Sequence, residues 1–390
     1  MVRLILQKGR EDRVLAGHPW IYRNEIGRTD GAWAPDEAVA VYASDRSFVG
    51  RGFYNPKTPI ACRILTRNDE PIDITFFRRR VEAALAYRRG LALDTDAYRV
   101  VSSEGDHLPG LVVDRYGDQL VVQCLTLGME QNRHFILPVL ESLLAPRGIL
   151  FKPDRAAQTS EGLQGISGWL RGKGAKELEI REAGARFWVD LEGGQKTGFY
   201  LDQREARRTV AALTLGKRLL DAFCYTGGFA CAALLAGARE AVAIESSPEA
   251  LALAQRNAEL NGVADRCRLI DGNAFDELRR LERARESFDL VILDPPSFTR
   301  RRDTVEAALR GYKEINLRAL RLLTPGGILA SFSCSHHVSP ALFDDVLRAA
   351  AADVGRDLRL LATLTQALDH PVLLTVPETL YLKGRLCHVI

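Results

Sequence analysis

A thiol, three hydroxyls and two imidazoles crowd into "SFSCSHHV", residues 331–338, directly behind the apolar run "GGILA". In that setting Cys334 is a candidate nucleophile, a small inert hydrophobe, or part of a metal site with His336 and His337. The metal reading lacks a fourth ligand, and adjacent histidines point apart on an extended chain, so no metal is expected. A second stretch, "FDLVILDPPSF", sets Asp294 behind another apolar run and follows it with Pro295 and Pro296. Two prolines remove two backbone donors and fix φ, which leaves the carbonyls of Asp294 and Pro295 outward as acceptors. That geometry suits the flat edge of a nucleobase, and Phe298 offers a ring to stack on it.

Three further turns add binding rather than reactive groups. In "LLDAFCYTGGFACAA", Gly227 and Gly228 permit a tight turn and close backbone approach. Tyr225 and Phe229 stand where a diphosphate cradle needs small residues, so this is not a dinucleotide fingerprint. Glu245 closes "AIES" eighteen positions after Gly227, where a carboxylate can accept both hydroxyls of a ribose. "DGNAFD" then offers Asp271 and Asn273 as polar contacts and Phe275 as an apolar wall. Together these fit an adenosine carried on something small that lacks a diphosphate.

The elements that must position these groups are short apolar runs separated by helical stretches: "RLLDAF", "AVAIES", "CRLID", "FDLVIL" and "GGILASFS". Strands apolar on both faces predict an α/β, Rossmann-like, parallel doubly wound sheet whose ligands lie beyond the carboxyl ends. "LRLLATL" and "ETLYLKGRLCHVI" bring the expected strand count to seven. One helix is well bounded, with Ser247 to cap it, Pro248 in its first turn, and Asn261 with Gly262 to stop it. This domain is expected over residues 191–390. Residues 1–70 alternate apolar and polar positions between turn residues and predict a small β-barrel. Residues 71–190 combine a helix in "DITFFRRRVEAALAYRRGL" with a hairpin at "RYGDQ", and predict an α+β middle domain.

Composition narrows the class. The 390 residues are 46% hydrophobic, and no window approaches a bilayer span or a signal sequence, so a cytoplasmic protein without membrane contact is expected. Seven scattered cysteines, without paired spacing, are expected as reduced thiols. A formal charge of +3 announces no polyanion partner by itself. The clusters "FFRRR", "YRRG" and "FTRRRD" are local basic patches, read first as solvated helix faces.

The stretches "TGFYLDQR", "DAFCYTGGF", "DPPSF", "RGYKEIN", "SFSCS" and "DHPVLLTVPETLYLKG" together resemble the class I S-adenosylmethionine-dependent large-subunit rRNA (cytosine-5)-methyltransferases. The front, "LQKGREDRVLAGHPWIYRNEI", is similar to the start of that family's RNA-binding PUA domain, so the resemblance spans nearly the whole chain. It implies S-adenosyl-L-methionine as cofactor. Asp221, Tyr225, Gly227 and Gly228 would shape the methionine side and Glu245 would take the ribose. Asn273 and Phe275 would take the adenine, many members carrying Asp at the first of these. Tyr200 and Asp202 would close the pocket, and Asp294 would border both cofactor and substrate.

The same resemblance implies covalent catalysis. Cys334 would add to C6 of a cytosine and make C5 nucleophilic toward the sulfonium methyl, with Asp294 on N3, the Pro295 carbonyl on N4, and Pro296 and Phe298 on the substrate side. His336 is an available proton acceptor, although solvation of both histidines is the plainer reading. Exocyclic amine methylation is disfavoured by Ser297 where such enzymes carry an aromatic. Uracil C5 methylation shares the thiol chemistry, but its common rRNA enzymes carry a cysteine-rich iron–sulfur segment that this chain lacks. A different class, an RNA-binding chaperone with a vestigial methylase fold, keeps the basic patches and needs no turnover. Large-subunit rRNA is the expected partner, with self-association into a homodimer left open.

Overall fold

The computed structural model describes residues 2–299 and 301–390. Of the basic stretch 298–303, Arg300 and the side chain of Arg302 lie outside the described residues. No described helix is long and apolar enough to cross a membrane. The chain divides into two compact units. One comprises the chain up to Leu178 with Asp190–Phe199 and Leu368–Thr379; the other comprises Glu179–Val189, Tyr200–Ala367 and Leu380–Ile390.

The first unit opens with six strands between Arg3 and Thr66 in one sheet, whose apolar positions Leu4, Ile21, Val41 and Ile64 form a single cluster with Val14 of the short helix Asp12–Leu15. A helix over Ile74–Gly90 follows, started by Asp73, whose carboxylate accepts from Thr75 N and Phe76 N. Next come five strands ordered 168–172, 148–151, 119–124, 111–116 and 97–102. The expected hairpin joins Leu111–Tyr116 to Gln119–Cys124, with Gly117 at φ 58° in the turn. The "FFRRR" arginines are partly occupied within this unit: Arg79 pairs with Glu70 at 2.6 Å and Arg80 Nη2 donates to Leu65 O at 2.9 Å. In "YRRG", Arg88 is buried against Asp106 and its Nη2 also donates to Asp369 O at 2.7 Å. Arg99 N donates to Asp369 Oδ2 at 2.8 Å, which is why the late segment Leu368–Thr379 belongs here.

The main sheet of the second unit has seven strands: β1 (Arg218–Ala222), β2 (Glu240–Glu245), β3 (Cys267–Asp271), β4 (Phe288–Leu293), β5 (Leu323–Ser333), β6 (Leu358–Leu364) and β7 (Lys383–Val389). Their order is β3-β2-β1-β4-β5-β7-β6, parallel except that β7 runs antiparallel to both neighbours. Leu290, Val291, Ile292 and Leu293 are all fully buried, as expected of a strand covered on both faces. Five helices follow strands: α1 (Gly228–Leu235), α2 (Pro248–Leu260), α3 (Ala274–Arg283), α4 (Val305–Leu322) and α5 (Pro340–Asp353). α2 is bounded as its sequence predicts, with Ser247 Oγ accepting from Ala250 N and Asn261 at its C-cap. Only part of "ETLYLKGRLCHVI" is strand: Pro377–Thr379 forms a 3-10 turn, and β7 begins at Lys383. Pro377 carries no amide hydrogen to lend a ladder.

Registry aligns the ligand edge. Ala222 lies opposite Leu293, Glu245 opposite Asp271, and Leu293 opposite Ser331. The residues following β1, β2, β3, β4 and β5 therefore share one rim.

Candidate functional site

Asp221 is wholly buried near the end of β1; its Oδ2 accepts from Ala230 N at 3.1 Å, while Oδ1 is buried without a hydrogen-bond partner. Burial pushes its pKa up to about 8, helped by the charges of Asp294 and Glu245 and opposed by Arg207. The turn that follows is tightly wound, with Phe223 at φ 66°, Tyr225 at φ 50° and Gly227 at φ 79°. Left-handed conformations cost a non-glycine residue about 1–3 kcal/mol each and cluster at ligand sites. Gly227 cannot be replaced freely, because a Cβ there would sit 3.3 Å from that of Ala254. Thr226 Oγ1 is a second buried polar atom without a partner.

Glu245 holds this turn in place. Its Oε2 accepts from Tyr225 N at 2.9 Å, and its Oε1 from Ser246 N at 2.8 Å and Ser247 N at 2.9 Å. The carboxylate is thereby fixed, with remaining lone pairs for a diol. Asn257 does similar work from α2. Its Nδ2 donates to Thr226 O at 2.9 Å and its Oδ1 accepts from Trp188 N at 2.7 Å, tying the turn to the Ala185–Asp190 strand. Sequence reasoning missed Asn257, since a lone amide inside a helix carries no signal of its own.

The Asp221 arrangement has a pH consequence. In the ligand-free protein this carboxyl keeps its proton up to about pH 8, whereas in the unfolded chain it ionises near 3.8. The folded state binds more protons between these values, so stability falls as pH rises from about 4 to about 8 and levels off above. Asp221→Asn removes that dependence. The expected result is a ligand-free melting temperature at pH 8 above that of the parent protein, together with at least about tenfold weaker binding of S-adenosylmethionine by calorimetry. A parent protein melting no lower than the variant at pH 8 would show that burial of this carboxyl does not destabilise the fold.

At the end of β3, Asn273 caps α3, its Oδ1 accepting from Phe275 N at 2.9 Å. The cap uses the carbonyl oxygen of the amide and not Nδ2. Phe275 belongs to an aromatic series, 6.4 Å from Phe223 and 5.7 Å from Phe298 between ring centroids, with Phe298 in turn 4.6 Å from Tyr312. Phe298 thus links the Phe275 side to the Cys334 side rather than standing alone.

The motifs after β4 and β5 meet through hydroxyls. Ser297 Oγ lies 3.0 Å from Ser335 Oγ, and Tyr312 Oη 2.9 Å from the same Ser335 oxygen. Asp294 and Cys334 are half-buried, Pro295 is buried and Pro296 exposed. Of the seven free cysteines, five are buried; Cys267 and Cys334 are partly exposed, and burial holds Cys267 up at about 11. His336 is exposed, its ring 6.3 Å from that of Tyr381.

Tyr200 bridges the two halves of the rim. Its ring meets that of Tyr225 edge-on at 5.2 Å, and its pKa is raised well above the usual phenol value, first by burial and then by the charges of Asp294, Tyr225, Asp202 and Cys334. One hydroxyl is therefore within electrostatic reach of four other predicted site residues. Asp202 is buried and accepts from Tyr381 Oη at 2.7 Å. Tyr381 was not foreseen as a site residue, though it stands in the quoted "ETLYLKG".

The arrangement provides a polar, strained turn for a cationic ligand head, a fixed carboxylate for a diol, an aromatic wall, and a partly exposed thiol on the same rim. A family profile described as S-adenosylmethionine-dependent methyltransferase matches residues 157–375, and one described as PUA-like domain matches residues 4–67. Ribosomal RNA large subunit methyltransferase I of Cronobacter sakazakii is 39% identical over 393 residues, covering 100% of this chain and 99% of that protein. The protein of the same name from Klebsiella pneumoniae strain 342 is 39% identical over 392 residues, covering 99% of this chain and 98% of its own. Among solved structures, a candidate methyltransferase complexed with SAH superposes with a TM-score of 0.88 at 21% identity over 100% of both chains. A candidate SAM-dependent methyltransferase from Streptococcus mutans does so at 0.86 and 21%, again over 100% of both chains. These structural likenesses show the fold.

Proposed function

The chain belongs to the S-adenosylmethionine-dependent methyltransferase family, and from that premise we propose that it forms 5-methylcytosine in large-subunit rRNA with Cys334 as the attacking nucleophile. The observation that carries this reading is the Ser297–Ser335 contact at 3.0 Å, because it ties the acceptor rim at Asp294 and Pro295 to the loop bearing a partly exposed thiol.

The residues present fit the cofactor. Asp221 Oδ1 and Thr226 Oγ1 are buried polar atoms without protein partners, and the Gly227 turn admits close approach. Asp221, Tyr225, Gly227 and Gly228 would hold the methionine portion, Glu245 the ribose, and Asn273 with Phe275 the adenine, with Tyr200 and Asp202 closing the pocket. When bound, S-adenosylmethionine supplies an electrophilic methyl on sulfonium.

The chain's own groups do the rest. Cys334 Sγ, as thiolate, bonds to C6 of the cytosine, and the electrons of the 5,6 double bond move to C5, which takes the methyl. Asp294 in its protonated form donates to N3, and the Pro295 carbonyl accepts from N4, so the ring is held while negative charge develops. A base then removes the C5 proton; its electron pair restores the double bond and expels Cys334 Sγ. His336 is the candidate acceptor.

The front sheet and the middle domain, divided near residues 70 and 190, would contribute RNA binding. The full relatives named for rRNA methylation cover the whole chain, which supports rRNA as the substrate class. The test is incubation of the purified protein with methyl-labelled S-adenosylmethionine and large-subunit rRNA, followed by digestion to nucleosides. Label is expected in 5-methylcytidine; label in 5-methyluridine or in an exocyclic amine overturns the assignment.

A further inference from the structure

Lys383, the first residue of β7, is unassigned by the family resemblance and lies opposite Ser333 in the β5–β7 ladder. It is 4% exposed, and its Nζ donates to Ser335 O at 2.8 Å and to Tyr381 O at 2.9 Å. Among the described residues it makes no ion pair with a carboxylate. A buried ammonium held by neutral carbonyls alone is costly, and it either sheds its proton or finds a negative partner. Burial lowers its pKa to about 8, and the charge opposing that loss is the one on Cys334. Such an interaction is reciprocal: whatever a thiolate does to keep the ammonium charged, the ammonium does to keep the thiolate.

We propose that Lys383 is a positioning residue that holds Cys334 as a thiolate, the two forming a partly buried ammonium–thiolate pair next to the substrate rim. The thiol proton leaves to solvent when the pair forms. The proposal rests on Cys334 being the nucleophile and explains how a thiol reaches its reactive form there. Tyr200 and Tyr312 both feel the Cys334 charge, and each is held in its neutral form. Asp294 carries no positive charge in either protonation state. His336 is exposed, and His337 is its chain neighbour on the same loop. Arg385, two residues beyond Lys383, is occupied by Asp344 at 2.6 Å. The backbone grip also explains the placement: by holding the carbonyl of Ser335, the residue after the cysteine, Lys383 fixes the loop whose charge it compensates.

The experiment reads the thiol directly. The full-length protein is exposed to iodoacetamide between pH 5 and 10, and carboxamidomethylation of the Cys334 peptide is followed by mass spectrometry for the parent protein, Lys383→Met and Lys383→Arg. The expected result is a midpoint for the parent protein at least one pH unit below the ordinary thiol value of about 8.5. In Lys383→Met the midpoint moves up by at least one unit and alkylation at pH 7 slows about tenfold, with Lys383→Arg recovering part of the shift. An unchanged midpoint in a Lys383→Met protein that still binds S-adenosylmethionine overturns the proposal. Should Lys383→Met fail to fold, the parent protein still decides, since a midpoint at or above about 8.5 overturns it equally. Failure of the underlying functional reading looks different, because Cys334→Ala would then retain methyl transfer whatever the alkylation profile shows.

Discussion

Cys334→Ala is expected to lower methyl transfer to rRNA by at least about a thousandfold, or ~4 kcal/mol of transition-state stabilisation at 1.36 kcal/mol per decade. Binding of S-adenosylmethionine should stay within about threefold of the parent protein, because the cofactor-side groups are held from other elements: Glu245 by the backbone of Tyr225, Ser246 and Ser247, and Thr226 by Asn257. The split between lost turnover and retained binding separates a nucleophile from a packing residue. A second measurement reads the covalent bond itself. RNA carrying 5-fluorocytosine has no removable C5 proton, so the adduct cannot collapse and should accumulate as a protein–RNA species that survives denaturation. Its absence with the parent protein, or its persistence with Cys334→Ala, contradicts the assignment.

The second large effect concerns stability. Arg207 and Glu182 are both buried and joined by two hydrogen bonds, Nε to Oε1 at 2.6 Å and Nη2 to Oε2 at 2.7 Å. Arg207 Nη1 also donates to Tyr200 O at 3.0 Å, so the pair anchors the start of the site. Arg207→Met leaves Glu182 as an uncompensated buried carboxylate, which costs about 3–5 kcal/mol. For a unit of 150–250 residues this lowers the melting temperature by roughly 6–20 °C. The relevant transition in a two-unit chain is the one that S-adenosylmethionine shifts upward. Replacing both partners, Glu182→Leu with Arg207→Met, should recover most of the loss, since no buried charge remains. A single variant that melts within about 2 °C of the parent protein would show that other groups carry the Glu182 charge.

The catalytic-side sheet was largely readable from sequence because β1, β2, β4 and β5 are buried on both faces and stand out as uninterrupted apolar runs. Strand ends in a parallel sheet converge on one edge, so the sequence alone assigns Asp221, Glu245, Asn273, Asp294 and Cys334 to a common rim. What could not be read is what depends on long-range pairing or on competing local uses. β7 enters antiparallel between β5 and β6, and only that insertion brings Lys383 and Tyr381 to the rim. Asn273 is drawn into capping α3, a role its sequence context permits but does not impose. The arginines of Ile74–Gly90 read as a basic patch, yet Arg79 and Arg88 are engaged by Glu70 and Asp106.

The chain changes unit after residues 178, 189, 199, 367 and 379. During synthesis the first unit therefore cannot be completed until Leu368–Thr379 has left the ribosome. Until then Arg88 lacks its bond to the carbonyl of Asp369 and Arg99 N lacks that residue's carboxylate. Neither unit can therefore be obtained intact as one contiguous fragment. A chain terminated before Leu368 would carry an unfinished first unit.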